Sequence, residues 1–114
     1  MIKISYKIVD DKIVNLHSTG HAGYAEHGED IVCSAVSAVL IGGLTNLSSE
    51  KNFKILVKKG EVEITALNEV NEHDQIVLET MIVQLRKIEE SYSKFMRITM
   101  IKEWKEKEKY DIKL

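Results

Sequence analysis

The chain has no proline, one cysteine, one tryptophan and six glycines among 114 residues. With a single cysteine, no intrachain disulfide can form. Cys33 is then either a small buried hydrophobe or a reactive group, and its neighbours must decide. Without proline, glycines and short polar pairs carry the turn signals. Neither sign of charge dominates, because 16 basic and 18 acidic residues leave a net charge of −2. That balance gives no global field for phosphate backbones, so no direct nucleic-acid binding is expected. No apolar run is long enough to span a bilayer. The longest, residues 31–44, is broken by Ser34, Ser37 and the pair Gly42-Gly43. The opening Met1-Ile2-Lys3-Ile4-Ser5 lacks the basic-then-apolar order of a signal peptide. A cytoplasmic protein without membrane contact is expected.

What is present is ordinary for a globular domain: 44% of residues are hydrophobic and 30% charged. The length fits one domain over residues 1–114. Its end, residues 102–114, alternates charges and is expected to be a partly frayed tail.

Ile2, Ile4, Tyr6 and Ile8 alternate with Lys3, Ser5 and Lys7. That period of two predicts a half-buried strand. Asp10-Asp11 signals a turn, and residues 13–18 read as the returning strand of a hairpin. Residues 20–30 hold Gly20, Gly23 and Gly28 without apolar periodicity, which predicts a long loop of the kind that often carries function. Asp30 is a good helix N-cap. The helix it opens, from Ile31 to about Leu47, is apolar on nearly every face and belongs in the middle of a fold, or against both a sheet and a partner chain. Gly42-Gly43 weakens it toward its end. Residues 53–58 and 61–66 form a second hairpin around Lys59-Gly60. Asn71 caps a second helix, with Asp74 three residues on as an imperfect capping box. Leu78, Met81, Ile82, Leu85 and Ile88 make its apolar stripe. Residues 95–101 are the last strand. The order ββαββαβ predicts an α+β two-layer sandwich, with one mostly antiparallel five-stranded sheet and two helices on one face.

Thiol proteolysis needs a thiolate, a base that handles its proton, and donors facing the developing oxyanion. If Asp30 is the N-cap, Cys33 lies in the first helical turn, where free N–H groups and the helix dipole favour negative sulfur. At such positions thiol pKa values can fall from about 8.5 to well below 7. The amides of that turn can also bind an oxyanion. The Asp30 carboxylate opposes the thiolate by like charge unless it points at amides or at a histidine. Ser37 lies one turn beyond Cys33 on the same helix face. His21 opens the loop and Cys33 sits just past its far end, so a returning loop can bring them together. His27 is a second possible base, ranked below His21. His17 alternates within a strand and reads as structural, and His73 as a surface residue. Most cysteines in apolar helices are structural, which is the competing reading of Cys33. His17, His21, His27 and Cys33 are ligand types that zinc accepts, but their spacing fits no standard finger. No metal and no cofactor are expected.

Gly20-His21-Ala22 followed by Asp30-Ile31-Val32-Cys33-Ser34-Ala35-Val36-Ser37 resembles the signature of the bacterial ribosomal-processing cysteine proteases, Prp. The resemblance covers the whole chain in length and element order, and its specific match is confined to residues 20–37. It implies a cysteine endopeptidase that removes a short N-terminal extension from the precursor of large-subunit ribosomal protein twenty-seven, a step in ribosome assembly. Cleavage in the family follows a phenylalanine in a short hydrophobic motif. It implies Cys33 as nucleophile, His21 as general base and proton donor, and Asp30 and Ser37 as supporting residues. It further implies a homodimer, and a loop that orders over the substrate, carrying Ala22, Gly23, Tyr24, His27 and Gly28. The group that orients His21 stays open among Asp30, Ser37, a backbone carbonyl, or none. The alternative is a non-enzymatic ribosome-associated binding module, favoured by the small fold and by Lys54, Lys58 and Lys59.

Overall fold

The computed structural model describes residues 1–26, 29–48 and 50–103. Its order is β1 (Ile2–Val9), β2 (Lys12–Thr19), α1 (Ile31–Leu44), a 3-10 turn (Glu50–Asn52), β3 (Phe53–Lys58), β4 (Glu61–Ala66), α2 (Glu72–Ser91) and β5 (Met96–Glu103). This is the expected ββαββαβ sandwich. Both hairpins close where the turn signals stand. Asp10 and Asp11 take φ of 51° and 66°, the left-handed pair that matches strand twist in a two-residue turn. Gly60 takes φ of +75° at the other hairpin.

The sheet runs in the order β3-β4-β2-β1-β5. Neighbours are antiparallel except β1 and β5, which pair in parallel from Ile2 opposite Met96 to Val9 opposite Glu103. That register carries β5 two residues past the expected end at Ile101. Lys102 and Glu103, expected in the frayed tail, are therefore strand residues, held by the β1 ladder. The rest of the expected tail lies outside the described residues.

One face of the sheet supplies Ile2, Ile4, Leu16, Ile64, Met96 and Ile98 to the core. The helices answer with Val32, Val36 and Leu40 from α1 and Val77, Leu78, Met81, Ile82 and Leu85 from α2. The α2 stripe is the one its spacing predicts, with Ile88 half-buried at the end. The two helices pack closely at Gly43, where any side chain would collide with Met81. The first helix stops at Leu44 rather than near Leu47. Its last turn is closed by Thr45, whose N–H reaches the Ile41 carbonyl at 3.2 Å and whose hydroxyl reaches the Gly42 carbonyl at 2.8 Å. Two adjacent glycines make that end costly to continue as helix. Among the described residues, no helix is long and apolar enough to cross a membrane. The result for the site is simple: the start of α1 stands beside the end of β2 and the tip of the β3–β4 hairpin.

Candidate active site

The end of β2 is tied to that hairpin tip. Gly20 (φ +93°) donates its N–H to the Gly60 carbonyl at 2.9 Å. Chain direction then lays the next residue, His21, over Gly60. A Cβ on Gly60 would stand 3.0 Å from His21 Nε2, so the ring seats on a residue without a side chain. The following residue, Ala22, is buried and donates its N–H to Cys33 Sγ at 3.3 Å. Consecutive residues thus set the imidazole on the hairpin and an amide on the sulfur. The connection between His21 and Cys33 among the described residues runs through this backbone. In free enzymes the direct hydrogen bond of a catalytic pair is often long and tightens only on substrate.

Cys33 is the third residue of α1 and is half-buried. Asp30 is the N-cap. Its Oδ1 accepts the Val32 and Cys33 amides, both at 3.0 Å, and its Oδ2 accepts the Tyr24 and Ala25 amides at 2.9 and 3.4 Å. Burial alone raises the Asp30 carboxyl, but the amides of Cys33, Tyr24, Ala25 and Val32 outweigh it and hold the group below its ordinary value. The carboxylate therefore faces backbone donors, neither His21 nor the sulfur, and it staples the loop to the helix start. Two amides of the first turn are thereby engaged by Asp30. The N–H that reaches the sulfur comes from Ala22 instead, a donor that the sequence reading did not assign.

A cleft of about 660 Å³ opens between α1 and the β3–β4 hairpin. Cys33, Ser37 and Ile41 line it from the helix, and Val57, Gly60 and Val62 from the hairpin. His21, Gly23, Ala25 and Asp30 border it from the loop and the helix cap. Ser37 is where its spacing predicted, one turn beyond Cys33. The hairpin's share was not visible in the sequence, because Gly60 lies 27 positions beyond Cys33.

His17 and His73 stand apart. His17 Nε2 lies 2.7 Å from Glu61 Oε2, and Lys58 lies 3.3 Å from Glu61 Oε1. Those hydrogen bonds, the His17 one first, hold Glu61 below its ordinary value. His73 sits at the start of α2, 2.8 Å from Asp74. His17 and His73 are outside the cleft lining. Among the described residues, no group of three or more His, Cys, Asp or Glu could hold a metal ion. His27 and Gly28, expected in the covering loop, lie outside the described residues.

A thiol in the first helical turn, an amide on its sulfur, an imidazole one residue from that amide and a mainly apolar cleft suit acyl transfer to sulfur. Comparison with known proteins agrees. Residues 1–97 match the family described as Cysteine protease Prp. The ribosomal processing cysteine protease Prp of Staphylococcus aureus strain NCTC 8325 is 34% identical over 105 residues, covering 86% of this chain and 97% of that one. The protein of the same description from Bacillus subtilis strain 168 is 33% identical over 108 residues, covering 87% and 96%. Among solved structures, S. aureus Prp with a covalently linked product peptide superposes with a TM-score of 0.82 at 31% identity, covering 88% of this chain and 99% of that one. The chain belongs to the cysteine protease Prp family and is a cysteine protease.

Proposed function

We propose that this chain cuts the N-terminal extension from the precursor of large-subunit ribosomal protein twenty-seven, after a phenylalanine in a hydrophobic motif, with Cys33 as nucleophile and His21 as base. The observation that carries the assignment is the Ala22 N–H on Cys33 Sγ, which ties the residue after His21 to the sulfur. His21 takes the thiol proton. The thiolate attacks the carbonyl carbon of the scissile peptide. The tetrahedral intermediate collapses as the C–N bond breaks, and the imidazolium gives its proton to the departing amine. Water then attacks the thioester, with His21 as base, releasing the carboxylate and restoring the thiol. Asp30 supports the site through the backbone it staples, and Ser37 borders the cleft beside the sulfur. On this reading the loop that carries Ala22, Gly23, Tyr24, His27 and Gly28 orders over the substrate, with Gly23 bordering the cleft. The apolar cleft walls, Ile41, Val57 and Val62, suit a hydrophobic peptide.

The same reading places the chain in the cytoplasm, free of membrane and nucleic acid, as a homodimer. Exposed Ile76 and Val83 on α2 offer apolar surface to a second copy. Light scattering should then give twice the chain mass, and a monomer mass refutes the dimer. The central test is incubation of the protein, and of its Cys33→Ala form, with the extended ribosomal precursor, read by mass spectrometry. The parent should release the extension at one site and Cys33→Ala should release none. Cleavage by Cys33→Ala defeats the assignment.

A further inference from the structure

Tyr24 follows Gly23 in the loop between His21 and Asp30, yet it does not line the cleft. Its ring makes edge-on contacts with Tyr92 (centroids 5.6 Å apart, planes at 89°) and with Phe95 (5.2 Å, 75°). Both rings belong to a braced corner. Tyr92 is the C-cap of α2. Phe95 donates its N–H to the Tyr92 carbonyl at 2.9 Å, and its own carbonyl accepts the Ile2 N–H at 2.9 Å. The corner is thus joined to α2, β1 and β5. Tyr24 is held from the other side by its own N–H, which reaches Asp30 Oδ2 at 2.9 Å. Two residues earlier is the Ala22 amide on Cys33 Sγ, and one before that is His21 on Gly60. The segment between has no regular secondary structure and contains Gly23 at φ +70°, so its own backbone does little to fix it. Edge-on aromatic pairs are directional, and two at once fix where the loop backbone lies.

We infer that Tyr24 is a positioning residue of the active site: seated on Tyr92 and Phe95, it holds the 21–25 backbone so that the Ala22 N–H stays on the Cys33 sulfur. This rests on the reading of Cys33 as nucleophile. Through that amide, Tyr24 acts on the reacting sulfur without touching the substrate. Its effect therefore belongs in kcat and in the reactivity of the free thiol, with little in KM.

The test compares Tyr24→Ala, which removes the ring and keeps the amide, with Tyr24→Phe, which keeps both edge contacts. Tyr24→Ala should lower kcat on the precursor about 10- to 100-fold with KM within about twofold, the scale expected of a small misplacement. Tyr24→Phe should restore kcat to within about threefold of the parent. Without substrate, the ratio of iodoacetamide alkylation rates at pH 6 and pH 9 should fall in Tyr24→Ala, because a lost N–H donor disfavours the thiolate. Tyr24 is exposed on the loop, so melting curves should stay close to the parent. If Tyr24→Ala does not fold, Tyr24→Leu keeps apolar bulk without the edge geometry and should give the same kcat and alkylation losses. Parent-like kcat and alkylation in the folded variant overturn the inference, as does an effect confined to KM. A Cys33→Ala protein that still cleaves defeats the nucleophile assignment instead. Inactive Cys33→Ala beside parent-like Tyr24→Ala defeats only the role of Tyr24.

Discussion

The starts of the two helices are built alike and are used differently. At α1, Asp30 takes two amides of the first turn and two amides of the preceding loop. At α2, Asn71 accepts the Asp74 N–H at 2.8 Å, and Asp74, 1% exposed, accepts the Ser48 N–H, the Ser48 hydroxyl and His73 Nδ1, each at 2.8 Å. In both, a carboxylate fastens a loop to a helix start. For Asp74, burial alone raises the carboxyl, and the Ser48 amide, His73 and the Ser48 hydroxyl reverse this to a lowered value. The α2 start even places a histidine on an aspartate, the superficial mark of a catalytic site. Its hydroxyl, Ser48, donates to the Asp74 carboxylate, and its histidine lines a separate cleft whose described lining holds no cysteine. What separates the α1 start is the far side: a hairpin tip that seats His21, an amide delivered to sulfur, and an apolar groove between. The cap physics is common to both, and the chemistry comes from what stands opposite.

Four changes probe this contrast, from the largest effect to the smallest. Removing the base should do the most: His21→Ala should lower kcat/KM on the precursor about 10²- to 10⁴-fold, the usual contribution of a positioned acid–base group, whereas His73→Ala should leave it within about twofold. Exchanging the two carboxylates separates positioning from stability. Asp30→Asn should lower kcat about 100-fold through misplacement of the loop, with a lower melting temperature. Asp74→Asn should cost about 1–3 kcal/mol in denaturant unfolding, as expected when charged acceptors of buried donors are lost, and leave kcat of the folded fraction near the parent. If Asp74→Asn loses kcat as Asp30→Asn does, the contrast fails. At the hairpin, Gly60→Ala must hold φ near +75° and push on the His21 ring, so kcat should fall about tenfold. A change at Gly42, where a Cβ meets nothing within 4 Å, should leave kcat unaltered. Acid should act on both starts at once. The lowered carboxyls of Asp30 and Asp74 contribute stability in full above the ordinary aspartate value of about 3.9, and lose it as pH falls through their lower folded values. Melting temperature should therefore fall steadily below about pH 4, less steeply in Asp74→Asn. A flat acid limb would contradict these carboxylate roles.

Much of this layout can be read from the sequence, and the boundary of what can has a physical cause. Alternation in residues 2–8 and the pairs Asp10-Asp11 and Lys59-Gly60 are local signals, and both hairpins formed on them. Asp30 and Asn71 announce their helices because caps act within three residues. The parallel pairing of β1 with β5 joins residues more than ninety positions apart, so neither the strand order nor the extension of β5 through Glu103 shows in local pattern. The same holds at the site. Cys33 and the spacing of Ser37 follow from the helix start, and His21 ranks first as its candidate base from its place at the opening of the loop and then from family resemblance. The seat of His21 on Gly60 and the corner under Tyr24 are products of tertiary packing. The role of Asp30 was open because a carboxylate beside a thiol can help or oppose it. Its four amide partners answer that it works on the backbone.

The central claim is that the chemistry at the α1 start passes through Cys33 with the help of His21. Since the chain has one cysteine, intact-mass spectrometry of acid-quenched turnover can locate a thioester without ambiguity. Mixed with excess precursor, the parent should carry a transient adduct with the mass of the acyl half of the substrate, mapping to the peptide that contains Cys33, and His21→Ala should accumulate it far more slowly. Continued cleavage with no adduct on Cys33, or an adduct formed equally fast without His21, would contradict the account.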